Sequence, residues 1–134
     1  VFGTLHTNNA PKTVDRIINT FPADEQNQVR VMLASCLAGV VAQLLCKKEP
    51  KGRCAVHEIL LTHEALPNVI RSGQIANIRA IIESGLNDGM ITMDNSLMNA
   101  VKGGIISAKE AYMKSSNKAM FAPLLKPGDL EGEH

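Results

Sequence analysis

The chain has 134 residues, of which 45% are hydrophobic and 3% are aromatic, and its formal net charge at pH 7 is +1. This length corresponds to one domain or part of one, with a core built mainly from aliphatic side chains. The near-neutral charge argues against a protein that binds nucleic acid through bulk electrostatics. No apolar run reaches the roughly 20 residues that a membrane-spanning helix needs. We therefore expect a globular chain with no nucleic-acid partner and no transmembrane segment.

The chain starts with a strand-like apolar run, residues 1–5, that stops at His6. Hydroxyl and amide side chains flank this histidine in the sequence Thr-Leu-His-Thr-Asn-Asn. Ligands of α/β proteins collect at the carboxyl ends of buried strands, so this layout suits a nucleotide site. A histidine at a strand end is also often structural. The pattern alone leaves both interpretations open.

Helical periodicity dominates the next part of the chain. Asn8 or Asn9 is the predicted N-cap of a first helix, with Pro11 in its first turn. A second helix is predicted over residues 24–38. Two apolar runs then flank the sequence Glu-Pro-Lys-Gly, which predicts a β-hairpin with strands at 41–48 and 53–61. Helical continuation through Cys46 is the alternative.

Four further helices are predicted downstream. The first covers residues 63–71, with Thr62 as its N-cap, although Pro67 is awkward inside it because proline lacks a backbone N–H. Two more are predicted at residues 74–84 and 93–102.

A capping box opens the last predicted helix, in which Ser107 and Glu110 satisfy free backbone amides reciprocally. This helix ends near residue 115. The prolines, glycine and acidic residues that follow predict a mobile tail over residues 118–134.

The three cysteines, Cys36, Cys46 and Cys54, lie within apolar patterns and lack metal-ligand spacing. They are predicted to be inert buried thiols rather than metal ligands or disulfide partners. No metal site is therefore predicted within this chain.

Four segments together resemble the type II/IV secretion ATPases. Gly-Thr-Leu-His-Thr-Asn at 3–8, followed by Lys-Thr-Val-Asp-Arg-Ile at 12–17, is similar to the family's His box. Gly-Arg-Cys-Ala-Val-His-Glu-Ile-Leu at 52–60 looks like its strand that leads to a helix. Ala-Leu-Pro-Asn-Val-Ile-Arg-Ser at 65–72 is similar to the AIRNLIRE motif of pilus retraction ATPases, and Gly-Met-Ile-Thr-Met-Asp-Asn-Ser-Leu at 89–97 to a late family segment.

The resemblance runs from residue 1 to about residue 115 and is strongest to the retraction ATPases of twitching motility. It implies an α/β fold class, as the C-terminal portion of a RecA-like P-loop ATPase domain, mostly helical with a few residual strands, over residues 1–117. It implies a hexameric motor that powers type IV pilus retraction by ATP hydrolysis, with ATP and Mg²⁺ as cofactors. The expected partners are further subunits of a homo-oligomer and an inner-membrane pilus platform protein. The expected location is the cytoplasm, peripheral at the inner membrane.

A P-loop string, Gly-x-x-x-x-Gly-Lys-[Ser/Thr], does not occur in the sequence. Its glycine amides and lysine would cradle the phosphates. An apolar strand ending in the acidic residues of a magnesium site is also missing. In the family these elements precede the His box, so the resemblance implies a fragment whose first half has been cut away. Such a fragment is expected to be inactive and to self-associate through an exposed sheet edge.

Site residues follow from the same resemblance. It makes His6 a catalytic contact on the phosphate side, with Thr4 and Thr7 shaping the site and Arg16 as a phosphate or inter-subunit contact. The alternatives are that His6 only ties two loops together and that Arg16 is a surface residue paired with Asp15 or a neighbour.

A second set resembles the retraction motif, which the family uses for force output rather than for binding ATP. The matching residues are Asn68, Val69, Ile70 and Arg71. Pro67 and Ser72 depart from the pattern, which has arginine and glutamate at those places. An ordinary surface helix is the alternative.

Other readings of function stay open at this point. His57 and Glu58 are neighbours on a predicted strand, so their side chains face opposite ways and make a poor acid–base pair. A related pilus-assembly or type II secretion ATPase is one alternative function. A helical adaptor domain without ATP chemistry is the other.

Overall fold

The structure is a computed structural model that describes residues 1–129. Helices make up about half of it, and one two-stranded hairpin is its sheet, which agrees in part with the predicted mostly helical chain with a few strands. In chain order the elements are α1 (Ala10–Asn19), α2 (Gln26–Cys36), β1 (Gly39–Lys47), β2 (Arg53–Leu61), α3 (Leu66–Arg71), α4 (Ile78–Ser84), α5 (Met93–Lys102) and α6 (Ala108–Lys114). Within this range no helix is both long and apolar enough to cross a membrane.

The chain divides into two compact units. The first consists of residues 1–43 and 57–92, and the second consists of residues 44–56 and the chain from residue 93 onward. The base of the hairpin therefore belongs to the first unit, and its turn belongs to the second.

The predicted strand at the start of the chain is wrong. Residues 1–6 are exposed and have no regular secondary structure. A strand is stable only when it pairs with another, and no strand of the described residues pairs with this run. His6 therefore lies in an extended loop that precedes α1.

The start of α1 agrees with the predicted cap. The side-chain oxygen of Asn9 accepts a hydrogen bond of 2.8 Å from the N–H of Lys12, and Pro11 lies in the first turn. Val14 and Ile18 are buried, whereas Phe21 is 42% exposed because the helix ends before it.

The core of the first unit is aliphatic, as the low aromatic content predicted. α1, β2, α3 and α4 each contribute side chains that are almost completely inaccessible to solvent. The largest of them are Ile18, Leu60, Ile70, Ile78 and Ile82. This core is shared by the helix that follows His6 and the helix that carries the retraction-like motif.

The predicted hairpin is confirmed, and both strands alternate between buried and exposed side chains. Val40, Ala42 and Cys46 are buried in β1. On β2 an isolated antiparallel bridge joins Ile59 to Ile91, so this strand also contacts the segment before α5.

α3 begins three residues later than predicted. It starts at Leu66, which places Pro67 in the first turn, where its missing N–H costs no helical bond. Thr62 does not cap this helix, because its hydroxyl donates a hydrogen bond of 2.9 Å to the carbonyl of Ala38. The proline is thus the reason for the later start.

Polar contacts organise the second unit. Asp94, in the first turn of α5, is buried and accepts hydrogen bonds of 3.1 Å and 2.9 Å from the N–H and hydroxyl of Ser116. Ser107 caps α6 by accepting from the N–H of Glu110. The carboxylate of Glu110 accepts from the N–H of Lys47 at 3.0 Å instead of closing the capping box.

Part of the predicted mobile tail is packed. Residues 118–120 and 122–124 form two short 3-10 turns, and Phe121 between them is completely buried. Tail residues up to 125 therefore belong to the second unit. The last five residues of the predicted tail lie outside the described residues.

The cysteines differ from one another in exposure. Cys46 is buried, Cys54 is partly buried, and Cys36 at the end of α2 is exposed, so the prediction of three buried thiols is wrong for Cys36. Burial raises the pKa of the Cys46 thiol to about 11, with Glu110 and Cys54 adding to the effect.

Candidate functional site

The candidate site is the loop of residues 6–9 together with the first two turns of α1. Arg16 reaches back from the second turn, and its Nη1 donates a hydrogen bond of 2.9 Å to the backbone carbonyl of His6. The observed partner of Arg16 is thus the backbone of His6 and not the side chain of Asp15. The loop is thereby held against the helix that it precedes.

A second tie joins the loop to α1 through two threonine hydroxyls. The Thr13 hydroxyl donates to the carbonyl of Asn9 at 2.9 Å. It lies 2.5 Å from the Thr7 hydroxyl. Since a hydroxyl has one hydrogen to donate, Thr7 is the donor in that pair. Thr13 is 7% exposed, so this relay is sheltered from competing water.

The N-terminus of α1 has no backbone N–H left for a phosphate. The N–H of Ala10 donates to Oε2 of Glu58, Pro11 has none, and the N–H of Lys12 donates to Asn9. Thr13 makes the first intrahelical bond, to the carbonyl of Asn9. Helix N-termini often bind anions through such groups, but here a carboxylate of the chain takes that place.

Glu58 is the site residue that the sequence analysis missed. It is 6% exposed, in β2, on the same face as the buried Val56 and Leu60, whereas the side chain of its neighbour His57 contacts Gln43. The prediction that the side chains of His57 and Glu58 face opposite ways is consistent with this alternation. A signal was present in the sequence, since a carboxylate at an inward position of a strand requires a buried partner.

Several polar groups of the site remain accessible. The side chains of Thr4 and His6 are exposed, and no hydrogen bond of either side chain is found within residues 1–129. Arg16 is also exposed and uses its guanidinium to hold His6. An imidazole, a hydroxyl and the remaining guanidinium N–H groups are suitable donors to phosphate oxygens. The loop therefore fits one side of a phosphate group.

The donor set does not fit Mg²⁺. Over residues 1–129 no group of three or more histidine, cysteine or acidic side chains is arranged to hold a metal ion. Glu58, the carboxylate that contacts the N-terminus of α1, is buried and accepts a hydrogen bond from the N–H of Ala10. Mg²⁺ prefers several oxygen ligands, so this part of the chain does not supply its site.

The retraction-like residues form a half-buried helix, α3. Ile70 is completely buried, and Val69 packs against the core from a partly exposed position. On the outer side, Nη2 of Arg71 donates a hydrogen bond of 2.7 Å to Oδ1 of Asn68. The two polar residues thus contact each other, and each remains exposed to solvent.

The structure brings some of the predicted site residues together and keeps others apart. His6, Thr7 and Arg16 belong to one hydrogen-bonded loop, to which the structure adds Asn9, Thr13 and Glu58. Thr4 lies just before that loop. Asn68, Val69, Ile70 and Arg71 form a separate set, and their described hydrogen bonds do not reach the loop. The catalytic, binding and motor roles of all these residues stay predictions.

Comparisons with known proteins find relatives named for twitching motility or for type IV pilus retraction. No protein-family model matches the chain. A twitching motility protein of Neisseria gonorrhoeae is 45% identical over 118 residues, which are 87% of this chain and 32% of that protein. The type IV pilus retraction ATPase PilT of Pseudomonas aeruginosa is 44% identical over 86% of this chain and 33% of its own length. The chain therefore spans about a third of the length of the curated relatives it matches.

Two solved structures of ATPases are also similar to the chain. A crystal structure of the pilus retraction motor PilT with bound ADP matches with a TM-score of 0.78 and 33% identity, over 90% of this chain and 33% of the other. The ATPase DotB of Legionella pneumophila matches with a TM-score of 0.65 and 18% identity, over 81% of this chain and 29% of the other. The second likeness concerns the fold alone.

Proposed function

We propose that this chain, which belongs to the type II/IV secretion ATPase superfamily and is similar to PilT, is the C-terminal part of the RecA-like domain of a pilus retraction ATPase. The whole protein then hydrolyses ATP and powers retraction of a type IV pilus. The related protein named a type IV pilus retraction ATPase and the PilT structure with bound ADP support this proposal. The further subunits of a hexamer and a platform protein at the inner membrane are its proposed partners.

One observation carries the assignment of the site. The backbone of the His6 loop is fixed to α1 by the Arg16–His6 and Thr7–Thr13 hydrogen bonds, while the imidazole of His6 stays exposed. A rigid backbone with an accessible donor is the arrangement needed to contact a phosphate at a set position. A histidine that only ties two loops together would be expected to have its ring engaged.

The chemistry proposed for this chain is limited to what its own residues can do. The imidazole of His6 donates to an oxygen of the terminal phosphate. Thr4, two residues before His6, helps to shape the site. Positive charge from Arg16 stabilises the negative charge that spreads over the phosphoryl oxygens during transfer. The main phosphate cradle and the Mg²⁺ ligands are proposed to come from residues outside this chain. The location proposed for the whole protein is the cytoplasmic face of the inner membrane.

The test is the steady-state rate of ATP hydrolysis by the full-length protein carrying His6→Ala. We expect kcat to fall by tenfold or more, which corresponds to about 1.4 kcal/mol of transition-state stabilisation. The matched control is His57→Ala, which removes another histidine from the outer face of the hairpin and is expected to leave the rate within about twofold of the wild type.

The role of His6 and the ATPase activity of the whole protein can each be contradicted separately. A wild-type rate in His6→Ala would show that His6 is structural and would remove it from the site. No hydrolysis by the wild-type full-length protein, measured as a purified oligomer with ATP and Mg²⁺, would contradict the ATPase proposal itself.

A further inference from the structure

We propose that Glu58 is the positioning residue of the His6 loop: its carboxylate fixes the first residue of α1 to β2 and so sets where the imidazole lies. This inference rests on the proposed function for its catalytic consequence. Its structural part, the fixing of the loop, can be measured independently of ATP hydrolysis.

Glu58 occupies a buried position on β2. Its side chain is 6% exposed and lies between Val56 and Leu60 on the inward face of β2. Burial of a carboxylate in an apolar environment is costly unless hydrogen bonds compensate it. The N–H of Ala10 supplies such a bond, at the positive end of the α1 dipole. The charge and the helix end therefore stabilise each other.

Hydrogen bonds of Asn9, Thr13 and Thr7 connect Ala10 to the neighbour of His6. Asn9 precedes Ala10 directly, and its carbonyl accepts from both the N–H and the hydroxyl of Thr13. The same Thr13 hydroxyl accepts from Thr7, the neighbour of His6. Between the Glu58 bond and His6 there are thus only three residues, two of them tied to α1. A displacement of Ala10 is transmitted directly to the loop.

β2 is held in place next to Glu58 by backbone hydrogen bonds and by burial. Glu58 is followed by Ile59, whose N–H donates to the carbonyl of Ile91 at 2.9 Å, with the reverse bond at 3.2 Å. Leu60 beyond it is completely buried. The strand therefore holds Glu58 from the core side, and α1 is the element that is placed by it.

The contacts of Glu58 differ from those of a general base or a metal ligand. Oε2 of Glu58 is directed at the backbone N–H of Ala10 and is therefore already engaged. A general base or a metal ligand must reach its proton or ion, whereas the side chain of Glu58 is only 6% exposed and its carboxylate contacts a helix N-terminus. Glu58 acts on the reacting phosphate through α1 and His6, not by touching it.

Three substitutions of Glu58 in the full-length protein distinguish the effect of its negative charge from the effect of its side-chain length. Glu58→Ala removes the acceptor, Glu58→Gln keeps an acceptor of the same length without the charge, and Glu58→Asp keeps the charge on a shorter side chain. The control is Glu64→Ala, which removes an exposed carboxylate from the segment between β2 and α3.

We expect Glu58→Ala and Glu58→Asp to lower kcat by about tenfold, with KM for ATP changed by less than about threefold, because a transition-state contact is misplaced while ground-state binding is mostly kept. Glu58→Gln is expected to restore kcat to within about threefold of the wild type. Equal losses in all three variants, accompanied by loss of the folded oligomer, would overturn the proposal in favour of a general stabilising role. Wild-type kcat in Glu58→Ala would overturn it as well.

Hydrogen–deuterium exchange of peptides covering residues 6–13 gives the second readout, measured on the same full-length proteins without nucleotide. Exchange is expected to accelerate about tenfold or more in Glu58→Ala and to stay near the wild-type rate in Glu58→Gln. Unchanged exchange in Glu58→Ala would contradict the structural part. If the wild type lacks ATPase activity, the proposed function fails, but the exchange result still decides whether Glu58 fixes the loop.

Discussion

The His6 loop and the α3 helix were both selected by sequence motifs, yet they are built in different ways. The loop has an exposed backbone run that is ordered by polar contacts from Arg16, Thr13 and Glu58. α3 is ordered by burial of Ile70, and its polar pair, Asn68 and Arg71, contributes only a local bond. The conformation of the His6 loop therefore depends on hydrogen bonds, whereas the placement of α3 depends on the packing of its apolar face.

This difference has a consequence for how the two regions respond to substitution. In α3, the apolar residues are expected to control stability, and the exposed polar pair, Asn68 and Arg71, is expected to contribute little to it. In the loop, polar residues control local order, and their loss is expected to affect the site more than the whole fold. The following substitutions test that division.

The largest effect is expected for Ile70→Ala. Truncation of a completely buried isoleucine removes apolar contacts and leaves a cavity, so we expect the free energy of unfolding to fall by about 3 kcal/mol. Chemical denaturation of the purified full-length protein measures it. Val69→Ala is the matched control, because Val69 is only partly buried, and a loss of about 1 kcal/mol is expected there. Equal losses for the two variants would show that α3 is not ordered by its buried face.

A smaller effect is expected for Thr13→Ala. The change removes the hydroxyl that bonds to Asn9 and Thr7, and we expect a loss of roughly 1–2 kcal/mol of stability together with a mobile His6 loop. Thr13→Ser keeps the hydroxyl and is expected to stay within about 0.5 kcal/mol of the wild type. Thermal unfolding and exchange of residues 6–13 report the two parts, and a loss in Thr13→Ser equal to that in Thr13→Ala would assign the effect to the methyl group.

The smallest effect on stability is expected for Arg71→Ala. Its bond to Asn68 is an exposed pair three residues apart on a helix, which contributes at most about 0.5 kcal/mol. ATP hydrolysis is expected to stay within about twofold of the wild type, since α3 makes no described hydrogen bond with the loop. A double-mutant cycle with Asn68→Ala isolates the pair. A coupling energy above about 1 kcal/mol would contradict the division between a packed face and a free polar face.

Local patterns were sufficient for much of the fold. The Asn9 cap, the hairpin and the bounds of α5 agree with the sequence, because each depends on residues a few positions apart. Pro67 is compatible with α3 because the helix begins at Leu66, which places the proline in the first turn. The strand expected at the start of the chain depends on a pairing partner, and local sequence does not contain that information.

The site was only partly predictable for the same reason. Motif resemblance identified His6 and Arg16, but it did not indicate that Arg16 bonds to the carbonyl of His6. Alternation along β2 placed Glu58 opposite to His57, and the need of an inward carboxylate for a partner could have marked it. The identity of that partner, Ala10, follows only from the packing of α1 on β2.

The bond between Ala10 and Glu58 also determines the order in which the site can be completed. These residues are 48 positions apart, whereas the contacts of Thr7 and Arg16 with the loop and α1 span 6 and 10 positions. Short-range contacts close early because they require little loss of chain entropy, and long-range ones close later. During synthesis from the N-terminus, the loop and α1 can therefore form while β2 has not yet been made. If Glu58 positions the loop as proposed, we expect the imidazole of His6 to reach its final place only when the hairpin has been made, so that the candidate site is assembled with the strand and not before it.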